Sequence, residues 1–323
     1  MTTRRFRQLL NARFAGVLLS AASMMLAGCA TTPQLADATE ASLPLRASIE
    51  GVPFHAQREY QCGPASLAMM LNSQGVDVTV DTLIPQVFIP EREGSVQPEM
   101  LATTRRHGLI PFVLNNTFDA LLIEIAAGNP VVVMQNLSLP AWPMWHYAVA
   151  IGYDRETDEM ILHSGEEAER IESFRRFDAT WARSDRWAFV ALPPGQLPEA
   201  IGAFRALDAI ASYEQVQGPQ AALPAWKTLV ARFPTTAMGH FALGNARHVL
   251  GDQEGAIDAF REALRAADFE STRGNFAFGP NQHPVQDWYM VDIVAGPDGK
   301  PVPVTKEKLL EGIGDVYADQ CQM

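Results

Sequence analysis

The sequence predicts an α+β domain followed by a separate set of α-helical hairpins. Three observations carry this reading. The chain is 323 residues long, enough for about two domains at roughly 150 residues each. From residue 50 to 195 it is a mixture of helical stretches and strands, and beyond Pro193-Pro194-Gly195 it turns to alanine-rich helices. That second part matches itself at a shift of 34 residues, which sets Tyr213 against Arg247, Ala222 against Ala256, Trp226 against Phe260 and Leu229 against Ala263.

Composition bounds the possibilities. With 47% hydrophobic and 19% charged residues the chain can bury a core and is not disordered. The formal charge is -12. Arg4, Arg5, Arg7 and Arg13 lie in the first 28 residues, which hold no acid, so the rest is more acidic still. Such a field repels a phosphate backbone and excludes nucleic acid as a partner. Three cysteines, at 29, 62 and 321, are too few and too scattered for a disulfide framework or a zinc site. His240 and His248 stand two helical turns apart without a third ligand, so neither metal nor cofactor is expected.

Residues 1–28 read as a signal peptide: a basic head, then the apolar run Phe14–Ala27. Fourteen residues are too few to span hydrocarbon, which needs about 20. The sequence Leu26-Ala27-Gly28-Cys29 resembles the lipobox of bacterial lipoproteins, which implies cleavage before Cys29 and diacylation of its thiol. Ala30 stands where an inner-membrane retention signal would have aspartate, so the outer membrane, facing the periplasm, is expected. Residues 29–49 form a Thr/Ala/Pro/Asp-rich tether. The expected membrane contact is through the lipid alone.

Residues 52–71 read V-P-F-H-A-Q-R-E-Y-Q-C-G-P-A-S-L-A-M-M-L, predicting a short strand, a polar loop and a helix with Leu67, Met70 and Leu71 on its face. Pro64 suits the first turn, where its missing N–H costs nothing. Cys62 then sits at a helix N-terminus, where the dipole and free amides are expected to lower a thiol's pKa. Gln57 is placed to donate to an oxyanion, together with the Cys62 N–H.

The pattern Q-x4-C-G-P-A at 57–65, with W-H-Y-A-V at 145–149, resembles the papain-like cysteine peptidases that process double-glycine leader peptides of bacteriocins. The resemblance covers 50–195. It takes in Val80–Ile84 as a second helix, Gly94-Ser95 as a glycine turn, Gln97–His107 as a third helix, and strands at Ile110–Leu114 and Val131–Gln135. It implies Cys62 as nucleophile, His146 as general base and acid, and Gln57 as oxyanion donor. Gln57 lies one residue nearer the cysteine than is usual in that family, and Gln61 stands where aspartate is common. The family's third catalytic residue is an aspartate on the strand returning from His146, Glu159–Ser164; Ser164 occupies that place. If the hairpin is symmetric about residue 156, His146 faces Glu166 with Ser164 on the same face, whereas a one-residue slip brings up His163. The orienting residue is thus Ser164, Glu166 or His163.

The 34-residue shift over 200–268 is the tetratricopeptide period, and two repeats are fewer than the three or so usually needed alone. They are expected to pack on the peptidase domain or the tail and to offer a surface to a protein partner. In the tail, 269–323, Trp288–Val294 and Pro301–Thr305 flank a hairpin turn, and an amphipathic helix is predicted over Lys306–Tyr317. The reading is a lipid-anchored cysteine peptidase acting on a peptide or protein substrate. Its rival is a non-cleaving peptide-binding or assembly lipoprotein; an acyl transferase using the same thioester is a third possibility.

Overall fold

A computed structural model describes residues 32–57, 61–267, 276–279, 283–297, 299–316 and 318. The signal peptide, Cys29 and Cys321 lie outside the described residues. The chain divides into two units, the first ending at Leu192 and taking in 198–201, the second formed by 193–197 and the chain from 202 onward.

The first unit is built on an antiparallel sheet. Its strands are β1 (Arg46–Ser48), β4 (Ile110–Val113), β5 (Val131–Asn136), β6 (Trp145–Asp154), β7 (Glu159–Ser164), β8 (Glu167–Ser173) and β9 (Ala188–Leu192). They lie in the order β4-β9-β5-β6-β7-β8, with β1 added on β6. A two-stranded ribbon, β2 (Phe88–Ile89) and β3 (Gly94–Ser95), stands apart. The helices of this unit are α1 (Asp37–Ser42), α2 (Cys62–Ser73), α3 (Val80–Val87), α4 (Gln97–Arg106), α5 (Phe118–Ala126) and α6 (Phe174–Trp181). Thr79, Thr117 and Ser173 cap α3, α5 and α6 by accepting the backbone N–H three residues on, as Ser and Thr do at this position.

Helix α2 is the centre of the fold. Every residue from Gly63 to Leu71 is buried, as a helix that is apolar on all sides must be. Leu67, Met70 and Leu71 share one core with Val132, Val149, Ile151 and Phe189. By strand alternation, Val133, Ala148 and Ala150 then face the other side of the sheet. The segment leading into α2, residues 52–57, is not a strand, contrary to the sequence reading. It is held by His163, whose Nε2 bonds the Val52 carbonyl at 3.1 Å.

The second unit begins with α7 (Ala203–Gln217), α8 (Pro219–Arg232), α9 (Ala237–Val249) and α10 (Gln253–Arg265). The starts of α7 and α9, and of α8 and α10, are 34 residues apart. Gly244 lets α9 approach α10: a Cβ there would meet the Phe260 ring at 2.5 Å. Trp226 donates its indole N–H to Glu214 across the first pair.

Three strands follow: β10 (Phe276–Phe278), β11 (Pro284–Ala295) and β12 (Pro301–Ile313). The helix predicted over Lys306–Tyr317 is therefore corrected, since residues 306–313 are strand. The physical reason is long-range pairing with β11, from Ala295↔Pro301 to Gln286↔Ile313. Asp287 fixes the register by accepting from Lys308 Nζ at 2.7 Å and from the Gly312 N–H at 2.8 Å. Helical spacing in a short segment yields to such contacts.

Candidate active site

Three elements of the first unit meet at a cleft of about 900 Å³. Helix α2 brings Cys62, β6 brings His146, and the segment before α2 brings Gln57; all three line the cleft.

Cys62 stands at the first turn of α2. No side chain caps this helix, and Pro64 has no N–H, so the free amides of the turn are left for other partners. The backbone N–H groups of Tyr147, Gly63 and Cys62 itself favour the charged sulfur, but burial outweighs them and pushes the thiol pKa up. The expectation of a lowered thiol pKa is thus reversed: withdrawal from water costs the charged form more than the helix terminus returns. The position of the turn is set by contact. A Cβ on Gly63 would lie 2.2 Å from Ser95 Oγ and 2.4 Å from Ser95 Cβ, so only glycine lets β3 sit over the start of α2. Tyr147 closes the other side, its hydroxyl donating to the Ser95 carbonyl at 3.4 Å.

His146 is bonded by Nε2 to Ser164 Oγ at 2.9 Å. With the Nε2–H donated to Ser164, the lone pair on Nδ1 is left to exchange a proton. Burial, added to by the positive charge of Arg170, pushes the imidazole down to about 4. Among the described residues no carboxylate bonds this ring. The resting pair near pH 7 is therefore a neutral thiol and a neutral imidazole.

The choice of Ser164 follows from a β-bulge. Near the turn the ladder pairs Tyr153↔Met160 and Asp154↔Glu159; past a shift between Ala150 and Gly152 it pairs Ala150↔Leu162 and Val149↔His163. Ile151 is the extra residue. Continued without the bulge, the turn register would set His163 opposite Ala150, on the His146 face. The bulge exchanges the faces and gives that place to Ser164. His163 is then free for its structural bonds, with Nε2 on the Val52 carbonyl and Nδ1 accepting from the Glu169 N–H at 3.2 Å. Its ring also packs edge-on against Phe54 at 5.3 Å. Glu166 is exposed at the rim of the cleft.

Gln57 is buried. Its backbone N–H donates to the Gly165 carbonyl at 3.0 Å, and its side-chain Nε2 donates to the Tyr147 carbonyl at 3.3 Å. The amide carries two hydrogens, so one is left over while the other holds the side chain in place. Sequence reasoning missed Tyr147, Arg170 and the Gly63–Ser95 contact. The isolated Gly152 within a strand was the available signal for the bulge.

Among the described residues no group of three His, Cys, Asp or Glu side chains is arranged to hold a metal. His240 bonds the Pro234 carbonyl and His248 bonds Gln253, so the two are engaged separately.

Residues 49–188 match the Peptidase_C39 like family. The C39-like region is thus the part of the chain that carries the cleft. Among solved structures, a putative C39-like peptidase from Bacillus anthracis is similar at 17% identity, covering 46% of this chain and 97% of that one, with a TM-score of 0.39. A double glycine motif protease from an AMS/PCAT transporter, solved with its leader peptide, is similar at 19% identity, covering 46% and 99%, with a TM-score of 0.34. The peptidase domain of Streptococcus ComA is similar at 16% identity, covering 44% and 98%, with a TM-score of 0.36. No curated protein matches the chain.

Proposed function

We propose that the chain hydrolyses peptide bonds through a thioester on Cys62. The supporting observation is that Cys62 and His146 line one cleft in the C39-like region, with His146 oriented through Nε2 by Ser164. His146 Nδ1 takes the thiol proton as sulfur attacks the carbonyl carbon. The oxyanion is held by the Cys62 N–H and the second hydrogen of the Gln57 amide. Collapse expels the amine, which takes the proton from the imidazolium. Water then attacks the thioester, giving its proton to His146, and the thiol is re-formed. Because both groups start neutral, His146 acts as a general base rather than as half of a standing ion pair.

A second reading, a peptide-binding protein that does not cut, draws support from the same feature. A serine hydroxyl orients the ring but adds no charge to stabilise the imidazolium, unlike a carboxylate. The two readings separate on one experiment. Incubating the mature protein with a peptide library should yield cleaved peptides and an acyl adduct on Cys62 by mass spectrometry, both lost in Cys62→Ala. Retained peptides without cleavage or adduct establish the binding reading instead.

We further propose diacylation of Cys29, with the protein held at the outer membrane facing the periplasm. The basis is the charge order, the apolar run and the Leu26-Ala27-Gly28-Cys29 sequence. No helix of the described residues is long and apolar enough to cross a membrane. The 34-residue recurrence of α7–α10 supports reading them as two tetratricopeptide repeats, a surface for a protein partner.

A further inference from the structure

Beside the cleft, the loop joining β5 to β6 presents an apolar tip. From Asn136 to Trp145 the sequence N-L-S-L-P-A-W-P-M-W has no charged residue. Leu139 is 60% exposed, Trp142 75% and Met144 61%. The loop is internally bonded, so this exposure is a property of its fold. Asn136 Oδ1 accepts from the N–H groups of Ser138 and Met144 at 3.0 and 2.9 Å. Leu137 N–H donates to the Met144 carbonyl at 2.9 Å. Arg183 braces it from outside, donating to the carbonyls of Asn136 and Ser138 at 3.1 and 2.9 Å. Rigid apolar tips with tryptophan at the end suit a boundary between water and hydrocarbon.

The position of residues 32–34 singles out lipid as the occupant. Thr32, Pro33 and Gln34 line a second cavity together with Asp178 and Arg186, and the Ala36 N–H donates to Asp119 at 2.9 Å. Arg186 is three residues from Arg183, the brace of the apolar loop. Cys29 is three residues before Thr32, and three residues span at most about 11 Å in any conformation. A diacylated Cys29 therefore holds the bilayer close to the 178–186 segment, whose Arg183 braces the loop.

We propose that the loop from Leu137 to Met144 seats in the lipid surface to which the chain is anchored, so that the cleft of Cys62 opens at the membrane. The proposal rests on the lipid-anchor reading of Cys29. Pro143, Met144 and Trp145 wall the cleft, so a seated loop sets its mouth beside the headgroups. The substrate class that follows is a peptide segment of a membrane-bound or membrane-emerging chain. A diacylated cysteine, with two acyl chains, already holds the chain at the surface; the loop fixes which way the cleft faces that surface.

The test uses the full chain, exported and processed from its own signal and reconstituted in vesicles of phosphatidylethanolamine and phosphatidylglycerol with brominated acyl chains. Trp142 should be quenched by the bromines, and Trp142→Phe should remove about half or more of the total bromine quenching. The paired Leu139→Ser/Trp142→Ser variant of the unlipidated Cys29→Ser protein should sediment with unbrominated vesicles at least several-fold less than Cys29→Ser alone. The mass of the N-terminal peptide reads the anchor independently. An unmodified Cys29 refutes the anchor, and quenching at Trp142 then decides the loop alone. Bromine quenching identical in wild type and Trp142→Phe overturns the proposal. So does a raised KM for soluble peptides in Trp142→Ser with unchanged vesicle binding, which makes the loop a peptide site. Self-association without lipid that Trp142→Ser abolishes overturns it equally, making the loop a contact between copies.

Discussion

The two halves of the site are held in different ways. Cys62 is fixed by packing: α2 is buried along its length, and Gly63 has no room for even a methyl group beside Ser95. His146 is fixed by pairing: one extra residue in β6 and one hydrogen bond to Ser164 decide which side chain meets its ring. Close-packed contacts tolerate little change, whereas a register defined by a bulge can be moved by a single residue. Cys62 is thus the rigid member of the two, and His146 the adjustable one.

The largest effect is expected on the adjustable side. His146→Ala should lower peptide cleavage by about 10⁴-fold or more, because removing one member of a nucleophile–base pair costs nearly as much as removing both. The rate measured with saturating peptide, beside Cys62→Ala, checks this; a loss below tenfold would mean that another base serves Cys62. Gln57→Ala should cost roughly 10²- to 10³-fold in kcat, the usual loss for one oxyanion donor. Alkylation of Cys62 forms no oxyanion and should change little in that variant.

Next comes the acid limb of stability. His146 is held down to about 4 by burial and Arg170, while in the unfolded chain it titrates near 6.5. Its contribution is fully present above pH 6.5 and is lost as pH falls from there to about 4, for a total of at most about 3 kcal/mol. Urea midpoints at pH 7 and pH 4 should converge more in His146→Gln than in the wild type. The smallest change tests the bulge. A Cβ on Gly152 would meet the Ala47 carbonyl oxygen at 2.8 Å, where β1 pairs with β6. Gly152→Val should destabilise by about 1–3 kcal/mol and, if the bulge relaxes, exchange Ser164 for His163 beside His146. A Ser164→Ala change that alters cleavage in the wild type but not in Gly152→Val would show the exchange.

Sequence pattern made much of this legible where the signals are local. The apolar run after Cys62, the Pro64 at the first turn and the hairpin around residue 156 all place elements that the structure contains. The register near the site agrees with symmetry about 156, but it arises through a bulge that composition does not announce except by Gly152. What local pattern cannot carry is long-range competition. Residues 306–313 have helical spacing yet pair with β11. Residues 52–57 look like a strand yet are held by separate bonds to His163, Gly165 and Tyr147 rather than by a ladder. The thiol pKa is decided by burial, which depends on the whole unit and not on the helix terminus alone.

The central claim is that Cys62 and His146 rest as a neutral pair, because burial disfavours both charges and Ser164 supplies none. The pH profile of Cys62 alkylation, followed by mass spectrometry in the wild type and in Ser164→Asp, tests it most directly. The account predicts slow alkylation at pH 7 in the wild type, rising only above the ordinary thiol range. In Ser164→Asp, where a carboxylate stabilises the imidazolium, the rise should move to lower pH. Rapid wild-type alkylation that is flat from pH 5 to 8, and unmoved by Ser164→Asp, would show a standing thiolate–imidazolium pair and contradict the account.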